Sequence, residues 1–397
     1  MKIGLILSTT PSYSETFFNS KIKGLLANGH KVQLFVQKKN PLFTGCPVVR
    51  GPKVYNRNLL FQGVNFVIIG IRLMPYFKRL KRFVILERKA QRSWKQILKT
   101  IYTNSHLLRA DLDCLHFGFA TMALQKEHVA AAIGAKMAVS FRGYDLDVYP
   151  LKAPKCYDLL WRQVDKVHSI SQYLLDKAYG LGLAQSKAYQ IIPPAIDLDT
   201  FKSREPQAYD GTAVVQLLTI ARLEWIKGLD YTLEALYLLK SKGLKFHYRI
   251  IGDGKEREAL VYAIHQLGLQ DEVSLISRVG HEEVVAYLSR TDIYIQYSHS
   301  EGFCNAVLEA QAMGCLCVVS DGGALPENIV HEVTGWLVRK RHPVLLADTI
   351  NSILALSDEQ KDEVRYKARL RVVNGFSSLE QQKAFHDFYT VNLTELL

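Results

Sequence analysis

Cysteine is scarce in this chain: six residues in 397, with no C-x-x-C pair among them. That argues against a disulfide framework and against a zinc ribbon. Twelve prolines and 25 glycines follow no period, which excludes collagen-like and low-complexity chains. No strand-like run leads into a G-x-G-x-x-G turn, so a nicotinamide dehydrogenase is excluded; Gly252-Asp-Gly254 is too short to count. Long apolar runs are also missing. The longest extends from about Val64 to Phe77, is broken by Arg72, and falls short of the ~20 residues that cross a bilayer. At the start, Lys2-Ile-Gly-Leu-Ile-Leu7 gives way to polar Ser8-Thr-Thr10 without a cleavage-like site, unlike a signal peptide. These absences predict a cytoplasmic, reduced, multidomain protein.

What the chain has is positive charge. The net charge is +12, and it is concentrated. Between Arg72 and Lys99 stand ten basic residues (Arg72, Lys78, Arg79, Lys81, Arg82, Arg88, Lys89, Arg92, Lys95 and Lys99) against one acid, Glu87, a local charge of +9. Leu80, Phe83, Val84, Leu86, Trp94, Ile97 and Leu98 are interleaved with them, the pattern of a basic amphipathic helix. Such a helix suits an anionic membrane surface, where each basic residue contributes ~1 kcal/mol. It also suits a solvated helix face, or a nucleic-acid patch.

Short β-branched runs alternate with helical patterns, as in parallel sheets with crossover helices. Strands are predicted over 2–7, 31–36, 112–116, 136–141, 166–170 and 189–192, with helices over 15–27 and 120–133. Pro193 to Pro206 has neither period and reads as a linker. Beyond it, strands are predicted over 214–220, 246–251, 273–276, 293–297 and 316–319, and helices over 228–239 and 377–390. The expected architecture is α/β, two Rossmann-like domains: 1–195, then 207–375, followed by a C-terminal helix in 376–397 that crosses back to the first. In open α/β sheets ligands bind beyond the carboxyl ends of the strands.

The most informative stretch is Ser298-His-Ser-Glu301-Gly-Phe-Cys-Asn-Ala-Val-Leu-Glu309. A strand ends near Tyr297, and a helix is predicted from near Phe303. The amides of Gly302, Phe303 and Cys304 would be N-terminal donors at the positive end of that helix, a ready anion site. Glu301 and Glu309 are carboxylates suited to paired sugar or ribose hydroxyls, or else an ordinary cap and an ordinary helix acid. Upstream, Arg222 follows a strand and Lys227 precedes the next helix. A cation there is unfavourable unless an anion joins it, and two cations across one loop suit a pyrophosphate.

The E-x7-E pair, the R-x4-K pair, the Gly252-Asp-Gly254 turn and the Asp321-Gly-Gly-Ala-Leu-Pro-Glu327 loop together resemble family 4 of the retaining, nucleotide-sugar-dependent glycosyltransferases. Pro11-Ser-Tyr-Ser-Glu-Thr-Phe17, His116-Phe-Gly118 and Phe141-Arg-Gly-Tyr-Asp145 are similar to its branch for exopolysaccharides of the colanic acid and amylovoran type. The resemblance implies a GT-B fold with the two domains facing each other across a cleft. It implies that Arg222 and Lys227 hold the donor diphosphate, with Gly252, Gly254, Gly302, Phe303 and Cys304 lining that site. Glu309 would bind ribose, Glu301 the transferred sugar, and His116 would reach in from the first domain near the anomeric centre. The sequence departs from the branch at Cys114 and at Arg142, where a histidine is common. Arg142 cannot act as a base but could bind a phosphate or a sugar acid.

Three Asp-x-Asp triplets occur, at 111–113, 145–147 and 197–199, but the GT-B resemblance implies no metal and no cofactor beyond the nucleotide-sugar co-substrate. The implied reaction moves a hexose, with retention, onto a lipid-linked oligosaccharide at the inner face of the cytoplasmic membrane, the 72–99 segment meeting anionic lipid. Rival readings are a soluble disaccharide synthase or an epimerase of the same architecture. A basic nucleic-acid-binding protein is the alternative from another class; it leaves both glutamates and the R-x4-K pair unexplained.

Overall fold

The computed structural model describes residues 1–11, 16–55, 58–202 and 214–391. Positions 12–15 of the Pro11–Phe17 motif, and 203–206 of the expected linker, lie outside the described residues. The chain divides into two units. One holds Met1–Ile170, Leu174–Ile192 and Gln381–Leu397, the other Ser171–Tyr173 and Pro193–Glu380.

The first part of the chain runs β1 (Lys2–Ile6), α1 (Thr16–Ala27), β2 (Lys31–Val36), β3 (Val48–Arg50), α2 (Leu59–Leu73), α3 (Phe77–Lys89) and α4 (Trp94–Leu108). It continues with β4 (Cys114–Phe117), α5 (Ala120–Ala123), α6 (Val129–Ile133), β5 (Lys136–Ser140), α7 (Tyr149–Lys152), α8 (Asp158–Gln163), β6 (Lys166–Ser169), α9 (Gln172–Gly180) and β7 (Ala188–Ile191). The seven strands pair in parallel in the order β3-β2-β1-β4-β5-β6-β7. Helices cover both faces, so central strands bury nearly every side chain; all four residues of β4 are buried.

The second unit repeats the grammar with β8 (Val215–Ile220), α10 (Leu229–Ser241), β9 (Phe246–Ile251), α11 (Arg257–Gln266), β10 (Val273–Ile276), α12 (His281–Leu288), β11 (Ile293–Gln296) and α13 (Asn305–Ala312). Then come β12 (Leu316–Ser320), α14 (Leu325–Asn328), β13 (Trp336–Val338), α15 (Pro343–Leu354) and α16 (Asp358–Gly375). Its six strands are also parallel, in the order β10-β9-β8-β11-β12-β13. The order reverses between β8 and β11. Loops leaving those two neighbours diverge to opposite faces and open a crevice between them. The last helix, α17 (Ser378–Thr390), begins in the second unit, and from Gln381 onward it belongs to the first.

Three expectations need correction. The helix expected over 120–133 is two short ones, α5 and α6, because Gln125 takes a left-handed backbone (φ +64°) between them. The apolar run is longer than the sequence suggested. A 3-10 turn at Met74–Tyr76 joins α2 to α3, so Leu60–Lys89 is 30 helical residues, long and apolar enough by length and composition to cross a membrane. Nor is the basic segment all solvated. Arg79 donates to the Ala110 carbonyl at 2.6 Å, and Arg92 pairs at 2.8 Å with both Glu87 and Glu127. Glu87 is wholly buried and also accepts from His128 at 2.7 Å, so the segment's one acid is neutralised inside the unit.

Candidate donor site in the second unit

Arg222, Lys227, Glu301 and Glu309 all lie on loops or helix turns that follow β8 and β11, the two strands at the reversal. Lys227 Nζ donates to Glu301 Oε1 at 2.5 Å, each side chain only 12% exposed. The same oxygen accepts from Ser298 Oγ at 2.8 Å and from Gln296 Nε2 at 3.2 Å. Gln296 also donates to Ser298 Oγ and accepts from the Tyr294 hydroxyl, so the carboxylate rests on a buried polar relay. Three donors on one oxygen fix its orientation, and Oε2 has no partner among the described residues. The structure thus joins a cation and a carboxylate that the sequence assigned to different parts of a ligand.

Glu301 is braced from behind by the Asp321–Ala324 loop. The Ala324 amide donates to the Glu301 carbonyl at 2.8 Å, and the Glu301 amide donates to Gly322. Gly323 adopts φ +65°, and a Cβ there would stand 2.4 Å from the Glu301 carbonyl oxygen, so only glycine allows the two loops to meet. Gly252 serves the Arg222 loop in the same way. At φ +150° its Cβ would fall 1.9 Å from the Ala221 carbonyl oxygen. The Leu223 amide donates to the Asp253 carbonyl, and Gly254 also abuts the Leu223 backbone. Gly252 and Gly254 therefore fasten the loop that carries Arg222. Arg222 itself is exposed, and its guanidinium has no partner among the described residues.

Glu309 is the fifth residue of α13, about one turn in, because the helix starts at Asn305 and not at Phe303. Its carboxyl is only partly exposed and meets no donor or cation among the described residues. Burial alone pushes its pKa up to about 7. At the entrance of α13 the amides of Gly302 and Phe303 meet no acceptor among the described residues. Cys304 does not join them, which corrects the expectation of three free amides. Its N–H donates to Asn328 Oδ1 at 3.1 Å, while Asn328 Nδ2 donates back to the Cys304 carbonyl at 2.9 Å. Asn328 is fully buried and stitches α14 to the start of α13. Gln296 and Asn328 escaped the sequence reading, and Ser298 entered it without a role. A polar Gln closing the apolar run Ile293-Tyr-Ile-Gln296 was the one available signal.

His116 belongs to the first unit. The sequence placed it at a strand end, reaching toward the donor sugar; the structure puts it inside β4 with no exposed surface. Its Nε2 lies 2.8 Å from Ser140 Oγ and its Nδ1 2.5 Å from the Tyr389 hydroxyl on α17, both within the first unit. Ser140 Oγ continues to His168 Nδ1, whose Nε2 reaches the Ile192 carbonyl. Lys21, also buried, sits 3.4 Å from His116, and burial holds both far below their ordinary pKa values. His116 is therefore a neutral structural histidine. Arg142 lies over the rings of Phe17, Phe18 and Phe119. The Asp-x-Asp triplets are taken up locally: Asp111 with Lys2, Asp145 with Thr121, Asp147 with Lys177, Asp197 with Thr200.

Residues 203–371 match the family model for glycosyl transferases group 1. The amylovoran biosynthesis glycosyltransferase AmsK of Erwinia amylovora is 27% identical over 394 residues, 92% of either chain. Sucrose-phosphate synthase from Thermosynechococcus elongatus shares the fold with a TM-score of 0.73 at 15% identity, covering 99% of both chains. HepE of Anabaena, solved in complex with UDP, does so with a TM-score of 0.72 at 14% identity, over 98% of this chain and 99% of that one. The matched residues include every side chain of the crevice just described, and the chain thus carries a group 1 glycosyltransferase domain on a GT-B fold.

Proposed function

We propose that the chain transfers a hexose from a nucleotide-sugar donor to an oligosaccharide acceptor in bacterial exopolysaccharide synthesis, with retention of anomeric configuration. The supporting observation is the state of the crevice between β8 and β11. Among the described residues it gathers one free oxygen on a fixed carboxylate, a second carboxylate with no partner, two open amides and an unpaired guanidinium. Unmatched donors and acceptors in one place ask for a ligand bearing both anions and hydroxyls. In this reading Arg222, Lys227 and the Gly302 and Phe303 amides hold the diphosphate and stabilise the charge that develops as it leaves. Glu309 takes the ribose hydroxyls, and Glu301 Oε2 takes hydroxyls of the transferred sugar. Arg222, Lys227 and the helix entrance neutralise the diphosphate, so the reading includes no metal. AmsK is named for amylovoran biosynthesis, which supports the exopolysaccharide setting. The acceptor is read as lipid-linked, at the inner face of the cytoplasmic membrane, with the exposed cations of 72–99 meeting anionic lipid.

Calorimetry against UDP, GDP, ADP and their hexose conjugates is the test. Micromolar binding of one nucleotide is expected, weakened at least tenfold by Glu309→Ala. Lys227→Ala is expected to lower turnover by tenfold or more, and the product's anomeric proton coupling reports retention. Silence across the panel from a folded sample overturns the reading.

A further inference from the structure

The helix α2 has almost nothing to pack against. Of its described side chains only Leu73 is buried, and its ring contacts with the rest of the unit are Phe66 stacked on Tyr102 of α4 at 6.0 Å and Phe61 tilted against Tyr55 at 6.3 Å. Leu60, Phe61, Val64, Val67, Ile71 and Met74 are each more than half exposed. Their spacing of three and four residues places them on one stripe. No acid occurs from Leu59 to Leu86, and α2 carries a single charge, Arg72, in its last turn. An apolar face of this length is not left to water without a partner.

The charges beside it say which partner. Of the ten basic residues from Arg72 to Lys99, Arg79 and Arg92 are used inside the unit. The other eight are exposed, and five of them (Lys78, Lys81, Arg82, Arg88 and Lys89) continue along α3 beyond the stripe. Apolar side chains continuous with exposed cations complement the acyl region and the anionic headgroups of a bilayer. The same geometry decides between lying in the membrane and crossing it. Leu60–Lys89 is long enough to cross, but α3 is fastened to its unit through buried Phe83 and through Glu87 with Arg92 and His128. Only α2 is free, and its 15 residues span roughly 22 Å against a hydrocarbon core of about 30 Å.

We propose that α2 lies in the plane of an anionic bilayer with its stripe inserted among the acyl chains, and that this insertion holds the protein there while the α3 cations bring it in. The inference rests on the membrane part of the function proposed above and replaces simple charge adsorption by hydrophobic anchoring.

The test is co-sedimentation of the full-length protein with vesicles of phosphatidylcholine and phosphatidylglycerol, in 0.05 M and 0.5 M NaCl. Wild type is expected to bind in both, losing no more than about threefold in 0.5 M salt, where exposed charges are largely screened. The variant Phe61→Gln, Val64→Gln, Val67→Gln, Ile71→Gln changes only exposed positions. It is expected to keep the wild-type circular dichroism and nucleotide binding, to bind vesicles weakly at low salt, and to lose tenfold or more at high salt. Lys78→Gln, Lys81→Gln, Arg82→Gln is expected to weaken low-salt binding and leave the salt-resistant fraction. Wild type released by 0.5 M NaCl, with the four-residue variant indistinguishable from it, overturns the insertion but keeps the membrane reading. No vesicle binding by wild type overturns both. In that case, concentration-dependent dimerisation abolished by the four-residue variant would assign the stripe to a second copy of the chain.

Discussion

Glu309 is the residue whose state says most about the site. Its carboxyl is raised from the ordinary glutamate value to about 7 by burial, with no cation to offset it. Between pH 4.5 and 7 the folded chain therefore keeps a proton that the unfolded chain has lost, and stability falls as pH rises through that window. Above it the ionised group costs roughly 3 kcal/mol, at 1.36 kcal/mol per pH unit of displacement. Glu309→Gln should accordingly raise the melting temperature of the ligand-free protein at pH 8 and leave it nearly unchanged at pH 5, which calorimetry in the two buffers checks. Hydroxyl donors favour the ionised form. Nucleotide affinity in wild type should rise severalfold from pH 6 to pH 8 relative to Glu309→Gln, a comparison that removes the phosphate's own titration. A flat ratio would dissociate Glu309 from the ligand.

At the scale of elements, the entrance of α13 depends on α14. Asn328→Ala leaves the amide of Cys304 without its partner in a buried place, at about 1–3 kcal/mol. Lowered thermal stability of the second unit together with weakened nucleotide binding is the expected outcome; unchanged binding would separate the helix entrance from the ligand. This contact also shows where reading a sequence stops. The E-x7-E and R-x4-K pairs were legible because strand, loop and helix follow one another within a few residues. The Cys304–Asn328 pairing joins positions 24 residues apart, and nothing in either residue type announces it. His116 was misread for the same reason on a larger scale, its partner Tyr389 being 273 residues away. Strands β3 and β13 are three residues each, too short for a period to show. The long central strands, buried on both faces, were visible as uninterrupted apolar runs. Likewise α2 read as a broken apolar run because Arg72 interrupts the composition, whereas the backbone continues through Pro75.

Across the whole molecule, each unit has its own sheet and core, yet the first is completed by α17, far along the chain. Phe385, Phe388 and Tyr389 of α17 are fully buried in it, and Lys166 donates to the carbonyls of Phe388 and Val391. Removing everything after Glu380 exposes that core, a loss of several kcal/mol for each large side chain. The truncated protein should lose one calorimetric transition and retain the other, with nucleotide binding preserved. Retention of both transitions would mean that the first unit does not need the helix. Tyr389→Phe, which removes the hydroxyl beside His116 alone, should cost about 1–3 kcal/mol and lower only that unit's transition.

The same arrangement sets an order of events during synthesis. The amino-terminal sheet leaves the ribosome first, yet its core stays open until α17 has been translated. The second unit, whose strands are complete by residue 338, can close while the first still waits. In a cell, the half of the protein made earliest is the half that chaperones would hold longest.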